Sequence, residues 1–137
     1  HGDYRVGNCL LHPDKAEISA VIDWELSTLG DPLADVGYVC QMYYISAFEF
    51  GLGDKNLAEL GIPSMDEFVA EYCRNAGIDG LENLQFSIIY NLFRLAGISQ
   101  GVYKRGLEGN ASSQQALEFG RVVREYAETA WNLVEAL

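Results

Sequence analysis

The residues best able to do chemistry in this chain are Asp3, Asn8 and Asp23. Asp3 and Asn8 are separated by four residues in the polar, glycine-containing opening run HGDYRVGN, and Asp23 follows the apolar, β-branched ISAVI of residues 18–22. Carboxylate and amide oxygens are hard donors, suited to Mg²⁺ far better than to zinc. Magnesium keeps a sparse protein shell, so Asn8 and Asp23 would serve as its ligands while substrate phosphates complete the coordination. Asp3 is then left to take the proton of an attacking hydroxyl. That division of labour is the one phosphoryl transfer needs.

These residues must be brought together by what surrounds them. Cys9–Leu11 and residues 18–22 read as two short strands, and HPDKAE between them, with Pro13 and Asp14, reads as a turn. A hairpin of that kind would bring Asn8 and Asp23 near each other. Downstream the pattern becomes helical. Asp31-Pro32 opens a helix whose inner face is Leu33, Val36, Gly37, Cys40, Tyr43, Tyr44 and Ala47. Ser64 with Glu67 forms a capping box, and Gly77 ends the helix that follows. A third helix is expected from about Glu82 to Lys104, with Leu84, Ile88, Leu92, Leu95 and Ile98 inward and Gly97 and Gly101 admitting a neighbour. Ser113 caps a last helix carrying Leu117, Val123, Ala127, Ala130 and Val134 on its apolar stripe. The fold class expected is mainly α with a small β-hairpin, in a single domain of residues 1–137. Its hairpin region is 1–30 and its helical region 31–137.

Charge narrows the partners. Nine Lys and Arg stand against 20 Asp and Glu, a net charge of −11. Between Ala16 and Cys73 the only cation is Lys55. Nucleic acid is excluded as a partner, since phosphate contacts need clustered cations. No run approaches the roughly 18 apolar residues that span a bilayer, so no membrane partner is expected. Cys9, Cys40 and Cys73 form neither a CxxC pair nor a disulfide framework. They point to a reducing compartment, with the cytoplasm the expected location.

The spacing of Asp3, Asn8 and Asp23 parallels the kinase pattern H-R-D-x-x-x-x-N with a later metal-binding Asp, except that Gly2 replaces the Arg and Ile22-Asp23-Trp24 stands at the D-F-G position. HGDYRVGN together with VIDWELSTLGDPLAD resembles the aminoglycoside phosphotransferase family, whose kinase-like fold also includes choline and homoserine kinases. WELSTLGDPLAD looks most like the phosphotransferase domains related to those joined to acyl-CoA dehydrogenases. The resemblance implies the C-terminal lobe of a protein-kinase-like fold and an enzyme using ATP as co-substrate with Mg²⁺ to phosphorylate a small-molecule hydroxyl. It makes Asp3 the catalytic base, Asn8 and Asp23 the metal and cofactor ligands, and Asp35 a structural support of the catalytic loop. Arg5 is given a transition-state role by analogy, and His1 orients the loop.

That resemblance also implies an N-terminal lobe with a strand-borne Lys, which nothing in the chain matches, so a fragment with little activity of its own is expected. The rival readings are a non-catalytic helical binding module or degenerate kinase relic, and a metal-dependent hydrolase using His1, Asp3, His12 and Asp23. The hydrolase lacks a helical His pair.

Overall fold

The structure is a computed structural model and describes residues 1–46, 51–111 and 113–137. It is mostly helical, with one small antiparallel hairpin. A 3-10 turn at Val6–Asn8 leads into β1 (Cys9–Leu11), which pairs with β2 (Ile18–Val21). The register sets Cys9 against Val21 and Leu10 against Ala20, and a bulge then brings Leu11 opposite Ile18. At the base of the hairpin the Ile22 N–H donates to the Asn8 carbonyl at 2.9 Å, and at its far end His12 donates to the Glu17 carbonyl at 2.8 Å. His12 is half-buried and accepts the Asp14 N–H at 3.1 Å, so it closes the turn.

A second 3-10 turn at Trp24–Leu26 is followed by α1 (Leu33–Cys40). Asp31 starts that helix as its type predicts: its Oδ1 accepts the Leu33 N–H at 2.9 Å, ahead of Pro32, which needs no donor. A 3-10 stretch, Gln41–Tyr44, continues it; Ala47, expected on the same face, lies outside the described residues. Then come α2 (Leu57–Leu60), α3 (Met65–Ala76) and α4 (Leu84–Leu107). A 3-10 turn at Gln114–Glu118 leads into α5 (Phe119–Glu135). At the start of α3, Ser64 and Glu67 form the full reciprocal capping box. Gly77 ends α3 in the left-handed region at φ 69°, where a Cβ would be strained.

The core lies where α4 packs between α1 and α5. Val36, Cys40, Ile45, Ile88, Leu92, Ala96, Val122, Tyr126 and Ala130 are its buried members. Two expectations about this packing need correcting. Gly97 and Gly101 do not admit a helix, for a Cβ at Gly97 would meet open space and one at Gly101 only the Arg105 guanidinium at 3.8 Å. The close approach is at Gly37, where a Cβ would lie 2.7 Å from the Ser87 Cβ and 2.8 Å from its carbonyl carbon. Gly37→Ala is therefore expected to push α1 off α4 at a cost of about 1–3 kcal/mol. Urea unfolding would measure it, and an unchanged midpoint would refute the contact.

The second correction concerns the apolar faces. Ile98 and Leu117, expected inward, are about half exposed. On α5 the buried positions are Val122, Tyr126 and Ala130; Ala130 is buried as expected, whereas Val122 and Tyr126 stand one step before the expected Val123 and Ala127. The reason is that α5 carries two apolar stripes. Ala127, Trp131 and Val134 face an open groove of about 330 Å³ shared with Phe86, Tyr90 and Phe93 of α4. Among the described residues no helix is long and apolar enough to cross a membrane.

Candidate functional site

The opening run is a turn held from beneath by the helical body. Gly2 sits at φ 84°, and a Cβ there would lie 2.8 Å from the Leu26 carbonyl oxygen, so only glycine fits without displacing that turn. One carboxylate, Asp35 on α1, accepts from the His1 backbone nitrogen at 2.6 Å and the Gly2 N–H at 2.8 Å. The other face of the same peptide run is held from α4, where Arg94 Nη2 donates to the Gly2 carbonyl at 2.7 Å. The turn delivers Asp3 with its carboxylate about one-fifth exposed.

Three side chains converge on that carboxylate. Asn8, 4% exposed, donates through Nδ2 to the Asp3 carbonyl at 2.8 Å and to its carboxylate at 3.0 Å. Arg5 donates from Nε to the same carboxylate at 3.3 Å, with its own side chain half exposed. The third is Tyr38 of α1, whose phenol lies close enough to feel the charge of Asp3. A carboxylate oxygen accepts, so Asn8 is the donor here. His1 completes the loop: its Nδ1 accepts the Asp3 N–H at 3.3 Å, its Nε2 pairs with the Ile22 carbonyl at 2.9 Å, and its ring lies 4.6 Å from that of Trp24. Trp24, itself half exposed, donates from its indole to the Val21 carbonyl at 2.7 Å.

Burial pushes the Tyr38 phenol up to about 12, with Asp3 adding to the rise and Arg94 and Arg5 opposing it. A folded-state value above the ordinary 10 means that the native chain holds this proton more tightly than the unfolded one. The resulting stabilisation is complete below pH 10 and is lost as pH rises towards about 12. Tyr38→Phe is expected to flatten the alkaline fall in stability over that window. Unfolding midpoints at a series of pH values would show it, and an unaltered slope would count against the burial.

Asp3, Asn8, Arg5, His1 and Asp35 are thus brought together as the sequence suggested. Asp23 is placed differently. It stands exposed past the hairpin in the left-handed region, φ 67° and ψ 49°, and makes no capping bond. The magnesium expectation is corrected: among the described residues no group of three or more His, Cys, Asp or Glu could hold a metal ion. Mg²⁺ and the ATP it would accompany are therefore given no part in this site.

Sequence reasoning missed the supports from α4. Arg94 also donates from Nη1 to Asn91 Oδ1 at 3.3 Å, and its guanidinium lies 5.0 Å from the Tyr38 ring centroid. Asn91 is fully buried and donates to the carbonyls of Ala34 at 3.0 Å and Ser87 at 2.9 Å. The one available signal was an Arg and an Asn among the apolar residues of a helix that packs on both sides.

Comparison with known proteins supplies the rest. Residues 1–86 match the model of the phosphotransferase enzyme family. Along 96% of its length the chain is 49% identical to acyl-CoA dehydrogenase family member 10 of Mus musculus, and along 97% it is 41% identical to acyl-CoA dehydrogenase family member 11 of Homo sapiens. A probable acyl-CoA dehydrogenase of Arabidopsis thaliana, IBR3, is 39% identical along 95% of the chain. The chain spans only 13%, 17% and 17% of these three proteins. No solved structure matches.

These relatives correct the kinase reading. The mostly helical fold with its small antiparallel hairpin is consistent with a domain of acyl-CoA dehydrogenase family proteins, in place of the expected kinase C-terminal lobe. The expected ATP- and Mg²⁺-dependent enzyme of the aminoglycoside phosphotransferase type, acting on a generic small-molecule hydroxyl and awaiting a nucleotide lobe as its partner, gives way with it. The chain belongs to the phosphotransferase enzyme family, and the relatives that carry its like are acyl-CoA dehydrogenase family members.

Proposed function

We propose that this chain is the part of an acyl-CoA dehydrogenase-type protein that holds the acyl end of an acyl-CoA-type molecule, with Asp3 accepting a hydrogen bond from a hydroxyl on that acyl group. The observation that carries the reading is the Asp3 carboxylate itself. It is oriented by Asn8 at 3.0 Å and Arg5 at 3.3 Å, yet remains partly open to an incoming group. A carboxylate so held needs no reorganisation when a donor arrives. The class of molecule comes from the relatives' names. The acidic chain suits only the acyl end, because the phosphates at the other end would meet a net charge of −11. Arg5, which donates to Asp3 at 3.3 Å, helps to hold that carboxylate in place. The three free thiols fit a reducing compartment such as the cytoplasm.

Calorimetry with a 3-hydroxyacyl-CoA and its plain acyl-CoA counterpart tests this directly. A hydrogen bond to a charged acceptor should favour the hydroxylated ligand by roughly tenfold or more. Asp3→Asn keeps the shape and removes the charge, and should erase most of that preference. Equal affinities of the unsubstituted chain for the two ligands would overturn the reading.

A further inference from the structure

We propose that Arg94 is a positioning residue for Asp3, clamping the Gly2–Asp3 peptide from α4 and seating the Tyr38 ring near the carboxylate. The inference rests on Asp3 as the acceptor and goes beyond it, to a residue 91 positions away in sequence.

The geometry is specific. The peptide joining Gly2 to Asp3 contains the Gly2 carbonyl, and Arg94 Nη2 donates to that oxygen at 2.7 Å. The preceding peptide N–H, that of Gly2, is held by Asp35 at 2.8 Å. Fixing both sides of Gly2 matters because glycine offers no side chain to restrict its own rotation. With the carbonyl tied down, the plane of the peptide entering Asp3 is set, and with it the direction in which the carboxylate leaves the backbone. Arg94 then does a second job with the flat face of its guanidinium, which lies 5.0 Å from the Tyr38 centroid.

Arg94 is kept in one orientation by Asn91. That amide receives the Nη1 hydrogen bond at 3.3 Å while its own nitrogen is spent on the Ala34 and Ser87 carbonyls. The chain of contacts therefore runs from the buried seam between α1 and α4, through Asn91 and Arg94, to the peptide before Asp3. A lysine could reach the Gly2 oxygen but has no planar face to lay on Tyr38 and no second nitrogen for Asn91.

Two measurements on the intact chain test the clamp separately from the ligand. In Arg94→Met, amide hydrogen exchange at Gly2 and Asp3 should quicken at least tenfold while the amides around Leu92 keep their protection. Unchanged exchange at Gly2 and Asp3 would overturn the clamp whatever the ligand does. In the second measurement, Arg94→Met should lower the preference for hydroxylated over plain acyl-CoA by about tenfold while leaving plain acyl-CoA affinity within twofold. Tyr38→Phe, which keeps the ring under Arg94, should lower the same preference at least threefold, and Arg94→Lys should fall between the original chain and Arg94→Met. A merely structural role would weaken both ligands together, and that result, or a full preference in Arg94→Met, would overturn the positioning role. If the unsubstituted chain shows no preference at all, the reading of Asp3 falls and the positioning role falls with it, while the exchange experiment still judges the clamp.

Discussion

Asp35→Ala is expected to destabilise the chain by about 3 kcal/mol, because a single carboxylate that is three-quarters buried serves two backbone donors, at 2.6 and 2.8 Å. Hydrogen bonds to a charged acceptor are the stronger kind, and here both are short. The damage should also be local in character. Without Asp35 the Gly2 N–H is left against the helical body with no acceptor, so the turn that presents Asp3 should detach before α4 and α5 do. Chemical denaturation gives the free energy, and backbone amide spectra give the location. Asp35→Asn keeps one acceptor oxygen and should recover about half of the loss. A loss below about 1 kcal/mol in Asp35→Ala, with the Gly2 and Asp3 amides unmoved, would show that the two bonds are incidental.

Leu92→Ala should cost about 3–4 kcal/mol, for Leu92 is fully buried at the point where α4 meets both α1 and α5. Its neighbours in the core, Val36, Ile88 and Tyr126, belong to three different helices and cannot all move into the space at once. The same change therefore weakens the seam that fixes Asn91, the next residue along α4, and the site should loosen with the core. Thermal and urea unfolding would measure the loss, with Leu92→Met as the volume-conserving control expected to cost less than about 1.5 kcal/mol. A cost below that level in Leu92→Ala would mean that the helices close around the gap.

The local signals in the sequence were strong where one short segment decides the outcome. Asp31 ahead of Pro32, the Ser64–Glu67 box and Gly77 each act within a single turn, and each appears in the structure where its chemistry demands. The hairpin was legible for the same reason. What could not be read was anything set by two helices at once. Gly97 and Gly37 look equally able to admit a neighbour, and only the docking of α1 on Ser87 separates them. Two members of the apolar stripe of α5 were displaced by one position because Ala127, Trp131 and Val134 form a second stripe that faces the groove. Arg94 stood out only as a cation among the apolar residues of α4, and its partner could not be read because the contact with Gly2 spans 92 positions. Asp23 shows the opposite error: a carboxylate at the end of an apolar strand looked like a ligand, yet the chain there turns into the left-handed region and leaves it in solvent.

The hairpin, finally, is closed upon itself. Its strands pair with each other, its base is fastened by the Ile22-to-Asn8 bond of 2.9 Å, and Leu10, Leu11 and Ile18 stay at least half exposed. No anchor of Asp3 passes through its far end, because those anchors come from α1, α4 and the turn before β1. The segment between Asp14 and Lys15 is therefore a natural grafting point. A tag or fluorescent reporter introduced there would lengthen a loop whose closure cost grows only slowly with length, leaving the machinery around Asp3 as it was.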